Sequence, residues 1–362
     1  MNVFIRVDAS VEIGTGHVMR CLVLAEELRN KKVNVSFICH MIPGDMIAYI
    51  RAKGFTVYCI EVSQAVLENS LNHLSWLECQ WQMDARLTIK TLSENTNIDW
   101  LIVDHYAFDA QWERMVKPYV TSIMVIDDLA DRAHDCDVLL DQNLYSDMAD
   151  RYENLVSNNT LQLLGPKYLL LRKEFSDRSV EKKHSGTIKR ILISFGGSDP
   201  TNETMKAIKA VLKMNRPDIC VDVVIGTSNQ QYATIANFCE SIPQIKLHYK
   251  IDYVADLMIK ADLAIGAGGT TTWERCYLGL PAITIETATN QAEILRYIAE
   301  IGAIRHLGKS DTVSERKICE TLERLVNSPL QVQEMTDYCM NIRNKYQQGS
   351  VVKHLMGVNS NE

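Results

Sequence analysis

The sequence predicts an α/β protein of two doubly wound lobes, each a parallel sheet covered by helices. Three observations predict it. The chain has 362 residues, too many for one ordinary hydrophobic core and about right for two domains. Short Val/Ile/Leu runs alternate with stretches of helical spacing, and the runs are continuously apolar, as in strands buried on both faces. The alternation breaks near residue 172 and restarts at 190.

In order, VFIRV (3–7) reads as a strand and HVMRCLVLAEELRNK (17–31) as a helix with Met19, Leu22, Val23 and Leu28 among its apolar positions. VNVSFICH (33–40) is a strand, DMIAYIRAKG (45–54) a helix and FTVYCI (55–60) a strand. DWLIVDHY (99–106), SIMVIDDL (122–129) and DVLLDQN (137–143) continue the series. RKEFSDRSVEKKHSGTIKR (172–190) is polar and charged, which is the composition of a linker.

The second lobe opens with the strand RILISF (190–195), the turn GGSDPTN (196–202) and the helix ETMKAIKAVLKMN. Strands follow at 221–226 and 244–250, then the helix DYVADLMIKA, the strand DLAIGA (262–267) and the helix TTTWERCYLG (270–279). LPAITIET (280–287) is a strand and NQAEILRYIAEIG a helix, and the chain from Ser314 is mostly helical. The domains are therefore set at 1–171 and 190–340, with a linker at 172–189 and a final helix at 341–362 that can cross back to the first domain. Ligands of open α/β sheets sit at the carboxyl ends of the strands, so the two lobes are expected to face a common cleft.

Composition narrows the function. A net charge of −7 argues against a nucleic-acid or membrane surface as partner. No apolar run reaches the ~18 residues of a membrane span, and MNVFIRVD turns charged too early for a signal peptide. The ten cysteines are scattered without a C-x-x-C pair, which fits reduced thiols in a cytoplasmic protein. No clustered ligands predict a zinc site, and no metal or other cofactor is expected.

Chemistry concentrates at the strand ends. In AIGAGGTTTWERCYLGLP (264–281), Gly266, Gly268 and Gly269 precede a helix that opens with Thr270, Thr271 and Thr272. Glycines allow close backbone approach and a helix start offers unpaired N–H groups, a combination that binds phosphate. Glu274, one turn on, suits a sugar diol; the alternative is a tight turn with threonine caps and a dipole-favoured Glu. ISFGGSDPTN (193–202) is a second glycine turn in which Gly197 can lie along a ligand, while Asp199-Pro200 reads as an N-cap with Pro at N1.

In IGTGH, Gly14 and Gly16 permit an unusual backbone and deliver His17 to a helix start, where the dipole disfavours imidazolium. A neutral imidazole can act as a general base; the alternative is a capping or core histidine. Asp8 and Arg6 are two apart and share a face, so Asp8 either orients His17, contacts substrate, or only pairs with Arg6. Asp104, His105 and Tyr106 end one strand, Asp127 and Asp128 the next, and Asn143 lies beyond a third. The acids can bind hydroxyls, cap helices or, last in order, hold a metal, and their roles stay open. Asn290 and Gln291 suit hydroxyl or acetamido groups, or a helix cap at Asn290.

Taken in order, RVDASVEIGTGHVMRCLVLAEEL, DHY, IDDLADRAHDCDVLLDQN, ISFGGSDPTN and GAGGTTTWERCYLGLPAITIETATNQ resemble the UDP-2,4-diacetamido-2,4,6-trideoxy-β-L-altropyranose hydrolases of pseudaminic acid biosynthesis, the PseG family. The resemblance spans both lobes. It implies a GT-B fold, two Rossmann-like domains facing across a cleft, the second like that of the enzyme that makes lipid II. It implies that Gly268, Gly269 and Thr270 meet the diphosphate, that Glu274 meets the ribose and that the Ile251 backbone faces uracil. Asn290 and Gln291 would reach the sugar, Tyr106 would lie near it, and His17 would be the general base. Asp8, Gly14, Gly16, Asn143 and Gly197 complete the expected substrate-binding set. The activity implied is hydrolysis at C1 with inversion, releasing UDP and free sugar, with a monomer sufficient. The alternatives are a GT-B glycosyltransferase with a UDP-sugar donor and a non-catalytic nucleotide-sugar-binding protein.

Overall fold

The computed structural model describes residues 1–10, 13–61, 73–178 and 185–357, without the side chains of residues 73–79. The chain divides into two units. Unit 1 is Met1–Asn143, Asp147–Leu170 and Gln347–Glu362, and unit 2 is Leu144–Ser146 and Leu171–Tyr346.

Unit 1 holds a seven-stranded parallel sheet: β1 Asn2–Val7, β2 Asn34–Met41, β3 Thr56–Glu61, β4 Trp100–Asp104, β5 Ser122–Ile126, β6 Val138–Asp141 and β7 Leu161–Leu164. Its helices are α1 Gly16–Asn30, α2 Ile47–Ala52, α3 His73–Ser93 and α4 Ala110–Val116, and a C-terminal helix, Ser350–Leu355, joins them. The spatial order is β3-β2-β1-β4-β5-β6-β7, so the strand order reverses where β1 lies beside β4.

Side-chain alternation sorts β1 between two cores. Val3, Ile5 and Val7 join Leu24, Leu28, Val351 and Leu355 on one face. Phe4 packs on the other, with Phe108 and Trp112. Each such fully buried aliphatic side chain contributes about 1.5–3 kcal/mol. The same parity sends Arg6 to the Phe108 face, its guanidinium 5.2 Å from that ring.

Unit 2 begins with the short helix α5 Lys173–Ser176, whose Phe175 is fully buried. The start of the expected linker is thus packed structure, because one aromatic within a charged stretch suffices to anchor it. Residues 179–184 of that linker and 358–362 of the expected final helix lie outside the described residues. The strands are β8 Arg190–Ser194, β9 Cys220–Ile225, β10 Ile245–Tyr249, β11 Leu263–Ala267, β12 Ala282–Glu286 and β13 Ile304–Lys309. The helices are α6 Glu203–Lys213, α7 Tyr232–Cys239, α8 Val254–Lys260, α9 Thr270–Tyr277, α10 Ala292–Glu300, α11 Glu315–Val326 and α12 Pro329–Arg343. The sheet is parallel in the order β10-β9-β8-β11-β12-β13, with its reversal where β8 lies beside β11.

Helices α3, α4, α5 and α7 and strands β7 and β13 are additions to the elements read from the sequence. Strand β7 shows why: LQLL is a short edge strand with two exposed positions, too weak a pattern to stand out. Among the described residues no helix is long and apolar enough to cross a membrane. The nine cysteines whose side chains are described are all free thiols.

Candidate active site

In open parallel sheets the crevice for a ligand forms beyond the carboxyl ends of the two strands flanking the reversal. In unit 1 those strands are β1 and β4, with Val7 paired to Asp104 at the edge. The segment after β1 turns through Gly14, at φ +77°, whose N–H donates to the Ser10 carbonyl at 2.9 Å. Gly16 is the first residue of α1 and needs no unusual backbone, a departure from expectation; a Cβ there would meet nothing within 4 Å. His17 follows, in the first turn of α1.

The His17 ring is held from below. Its Nδ1 lies 2.5 Å from Asp104 Oδ1. A carboxylate only accepts, so this contact calls for a proton on Nδ1, and in the neutral ring that leaves the lone pair on Nε2. Among the described residues Nε2 has no hydrogen-bond partner, and the side chain is 9% exposed. Arg20, one turn further along α1, grips the same carboxylate with Nε and Nη2, each at 2.7 Å. Its Nη1 donates to Asp128 Oδ2 at 3.0 Å, and the Tyr106 hydroxyl donates to Asp128 Oδ1 at 2.8 Å. The Tyr106 ring meets the imidazole edge-on at 4.6 Å. Arg20 and His17 hold the Asp104 carboxyl well below the usual carboxylate range against the opposing effect of burial. The arrangement is an oriented imidazole with an accepting nitrogen left open, the geometry of a general base.

This corrects the reading of Asp8. Asp8 does not orient His17, and its side chain is fully buried. It pairs with Arg6 at 2.8 Å and accepts from the backbone N–H and ring of His40 at 2.7 and 2.9 Å. Arg6 also donates to Asp84 at 2.6 Å, and His105 stands 3.5 Å from Asp8. Burial lowers the His105 pKa to about 3. Asp8 is thus held inside the protein by Arg6 and His40.

The remaining acids are also placed. Asp127 accepts from Arg132 at 2.8 Å and from the Ala130 N–H at 2.9 Å. Tyr152 donates to Asp141 at 3.0 Å, and Asp141 accepts the Asn143 N–H at 3.0 Å, fixing the turn that carries Asn143. Among the described residues no group of three or more His, Cys, Asp or Glu side chains is arranged to hold a metal.

In unit 2 the reversal falls at β8 and β11, and the two glycine turns follow those strands. Gly269, at φ +84°, is the N-cap of α9 and no side chain caps that helix. The Thr272 N–H donates to the Gly269 carbonyl at 3.0 Å, which leaves the Thr270 and Thr271 amides to meet an anion, with the helix dipole behind them. Gln291 spans two loops: its Oε1 accepts from the Gly268 N–H at 3.3 Å and the Thr287 N–H at 3.1 Å. That fixes the amide so that its nitrogen is the group left to donate. Asn290 is exposed beside it on a single 3-10 turn.

Three details differ from expectation. Gly266 makes room inside the protein rather than for a ligand: a Cβ would come 2.3 Å from the Ser194 carbonyl and 2.8 Å from Arg275 Nη1. Asp199 caps from a distance; α6 starts at Glu203, and the Asp199 carboxylate accepts the N–H groups of Glu203 and Thr204, each at 2.9 Å. Glu274 is buried and already accepts from Arg172 Nε at 2.8 Å. Gly197 is exposed in the turn after β8, backed by Gly226, where a Cβ would lie 2.4 Å from it. Ile251 is half-buried between β10 and α8.

The fold is GT-B, and residues 191–349 match the family described as Glycosyltransferase family 28 C-terminal domain. MurG of Acinetobacter baumannii superposes with a TM-score of 0.63 at 15% identity, covering 99% of each chain. By sequence, the chain is 30% identical over 292 residues to uncharacterized protein MJ1062 of Methanocaldococcus jannaschii, covering 79% of this chain and 55% of that protein. The chain thus spans about half the length of that relative. It is 26% identical over 306 residues to the UDP-2,4-diacetamido-2,4,6-trideoxy-β-L-altropyranose hydrolase of Campylobacter jejuni, covering 83% of this chain and 97% of that enzyme.

Proposed function

We propose that this protein is a nucleotide-sugar hydrolase acting on a UDP-linked 2,4-diacetamido-2,4,6-trideoxy sugar in pseudaminic acid biosynthesis. The observation that carries the reading is the His17–Asp104 pair, with Nδ1 bound to the carboxylate and Nε2 open. The similarity to the Campylobacter jejuni hydrolase supports the substrate class. In this reading Nε2 takes a proton from water as the oxygen attacks C1, and Asp104 stabilises the imidazolium that forms. The C1–O bond to UDP breaks on the opposite face, which inverts the anomeric centre. UDP leaves as an anion stabilised by the amides at the start of α9. Gly268, Gly269 and Thr270 hold the diphosphate, Glu274 the ribose and the Ile251 backbone the uracil. Asn290, Gln291, Tyr106 and Asn143 meet the sugar.

A second reading, transfer of the sugar to an acceptor other than water, is favoured by the match of residues 191–349 to a glycosyltransferase domain. An acceptor-free assay over a panel of UDP- and CMP-sugars separates the two. Release of UDP with free sugar, its anomer read early by proton NMR, supports hydrolysis. Turnover only on adding an acceptor supports transfer, and binding without turnover under either condition supports a binding protein.

A further inference from the structure

Among the described residues four arginines are buried: Arg6, Arg20, Arg151 and Arg275. Arg6 pairs with Asp8 and Asp84, Arg20 with Asp104 and Asp128, and Arg151 with Asp141. Arg275 is 2% exposed, yet among the described residues no carboxylate pairs with it. Its Nε is buried without a partner. Its Nη2 donates to the Ala267 carbonyl at 2.8 Å and to Thr272 Oγ1 at 3.1 Å. Those two residues bracket the Gly268-Gly269-Thr270 turn.

An unpaired buried cation is costly to a fold and needs another reason to be there. The lack of a side chain at Gly266 is what admits this one, since a Cβ would stand 2.8 Å from Nη1. Burial lowers the pKa of Arg275, outweighing the opposing influence of neighbouring groups that include the Glu274 carboxylate.

We infer that Arg275 is a positioning residue for the diphosphate: it pins both ends of the glycine turn, and its charge, held in no ion pair among the described residues, lies behind the turn as the counter-charge of the bound anion. It acts through the turn rather than by touching the ligand. The inference rests on the nucleotide-sugar reading above and adds a residue to it.

The test compares full-length wild type with Arg275→Met, Arg275→Gln and Arg275→Lys, titrated with UDP and with uridine. Arg275→Met is expected to weaken UDP binding at least about tenfold and to leave uridine within about twofold, while the melting temperature holds or rises. Arg275→Lys is expected to recover most of the UDP affinity, because it restores the charge. UDP binding within twofold of wild type in Arg275→Met would overturn the inference, as would equal losses for UDP and uridine. Failure of both neutral variants to fold would also overturn it, since the cation would then belong to the fold alone. A wild type that binds neither UDP nor uridine would instead bring down the nucleotide-site reading itself.

Discussion

His17 and Asp104 are 87 positions apart in sequence, yet Nδ1 and Oδ1 lie 2.5 Å apart. The pairing of β1 with β4 makes that possible, because it sets the end of β4 directly beside the segment leading into α1. Arg20 then closes on the carboxylate from the same helix as His17, so the ring, the acid and the clamp form one rigid unit.

In the proposed hydrolysis that geometry gives Asp104 a positioning role, its loss felt through His17. Asp104→Asn can present its amide to the ring and so favour the wrong tautomer. The expected fall in kcat is about 10²–10⁴-fold, with KM for the UDP-sugar changed little. His17→Ala should fall as far, and the double variant little further, because the two act together. Steady-state kinetics on all three variants checks this; losses that multiply would mean independent roles.

Much of the fold was legible because continuous Val/Ile/Leu runs mark doubly covered strands. The place of His17 at a helix start was legible too, from a histidine at a glycine turn after the first strand. Asp104 stood out as a polar strand end, but its role depended on which strands are neighbours, and that is a property of the topology. Arg20 gave almost no signal beyond being a charge three residues after His17 on the buried stripe of α1. Two-residue spacing shows that Arg6 and Asp8 share a face without showing whether that face meets solvent. Gly266 and Gly269 look alike in sequence, but one makes room for an arginine and the other adopts positive φ.

Glu274 is held by Arg172 at 2.8 Å, so the carboxylate is fixed in place before any ribose arrives. Glu274→Gln is expected to weaken UDP about three- to tenfold, the scale of one or two hydrogen bonds to a charged group. Calorimetry with UDP and 2′-deoxy-UDP checks the assignment. Wild type should discriminate between the two and the variant should not; equal discrimination in both would detach Glu274 from the ribose.

Asp141 sets a pH dependence of stability. Burial, and then the neighbouring Asp128, push its carboxyl up to about 7. Between the unfolded value of about 3.9 and that folded value the native state binds more protons than the unfolded chain. Stability therefore falls as pH rises through that window, by up to about 1.4 kcal/mol per pH unit from this group. Asp141→Asn mimics the protonated form, so its melting temperature should fall less than wild type's between pH 5 and pH 8. An unchanged difference would remove Asp141 as the source.

The central claim is that water activated at His17 attacks the sugar carbon. It is tested most directly by turnover of the UDP-sugar in ¹⁸O-water without acceptor, with mass spectrometry of both products. Label is expected in the released sugar and none in UDP, with release lost in His17→Asn while UDP still binds. Label in the phosphate of UDP, or undiminished release by His17→Asn, would contradict it.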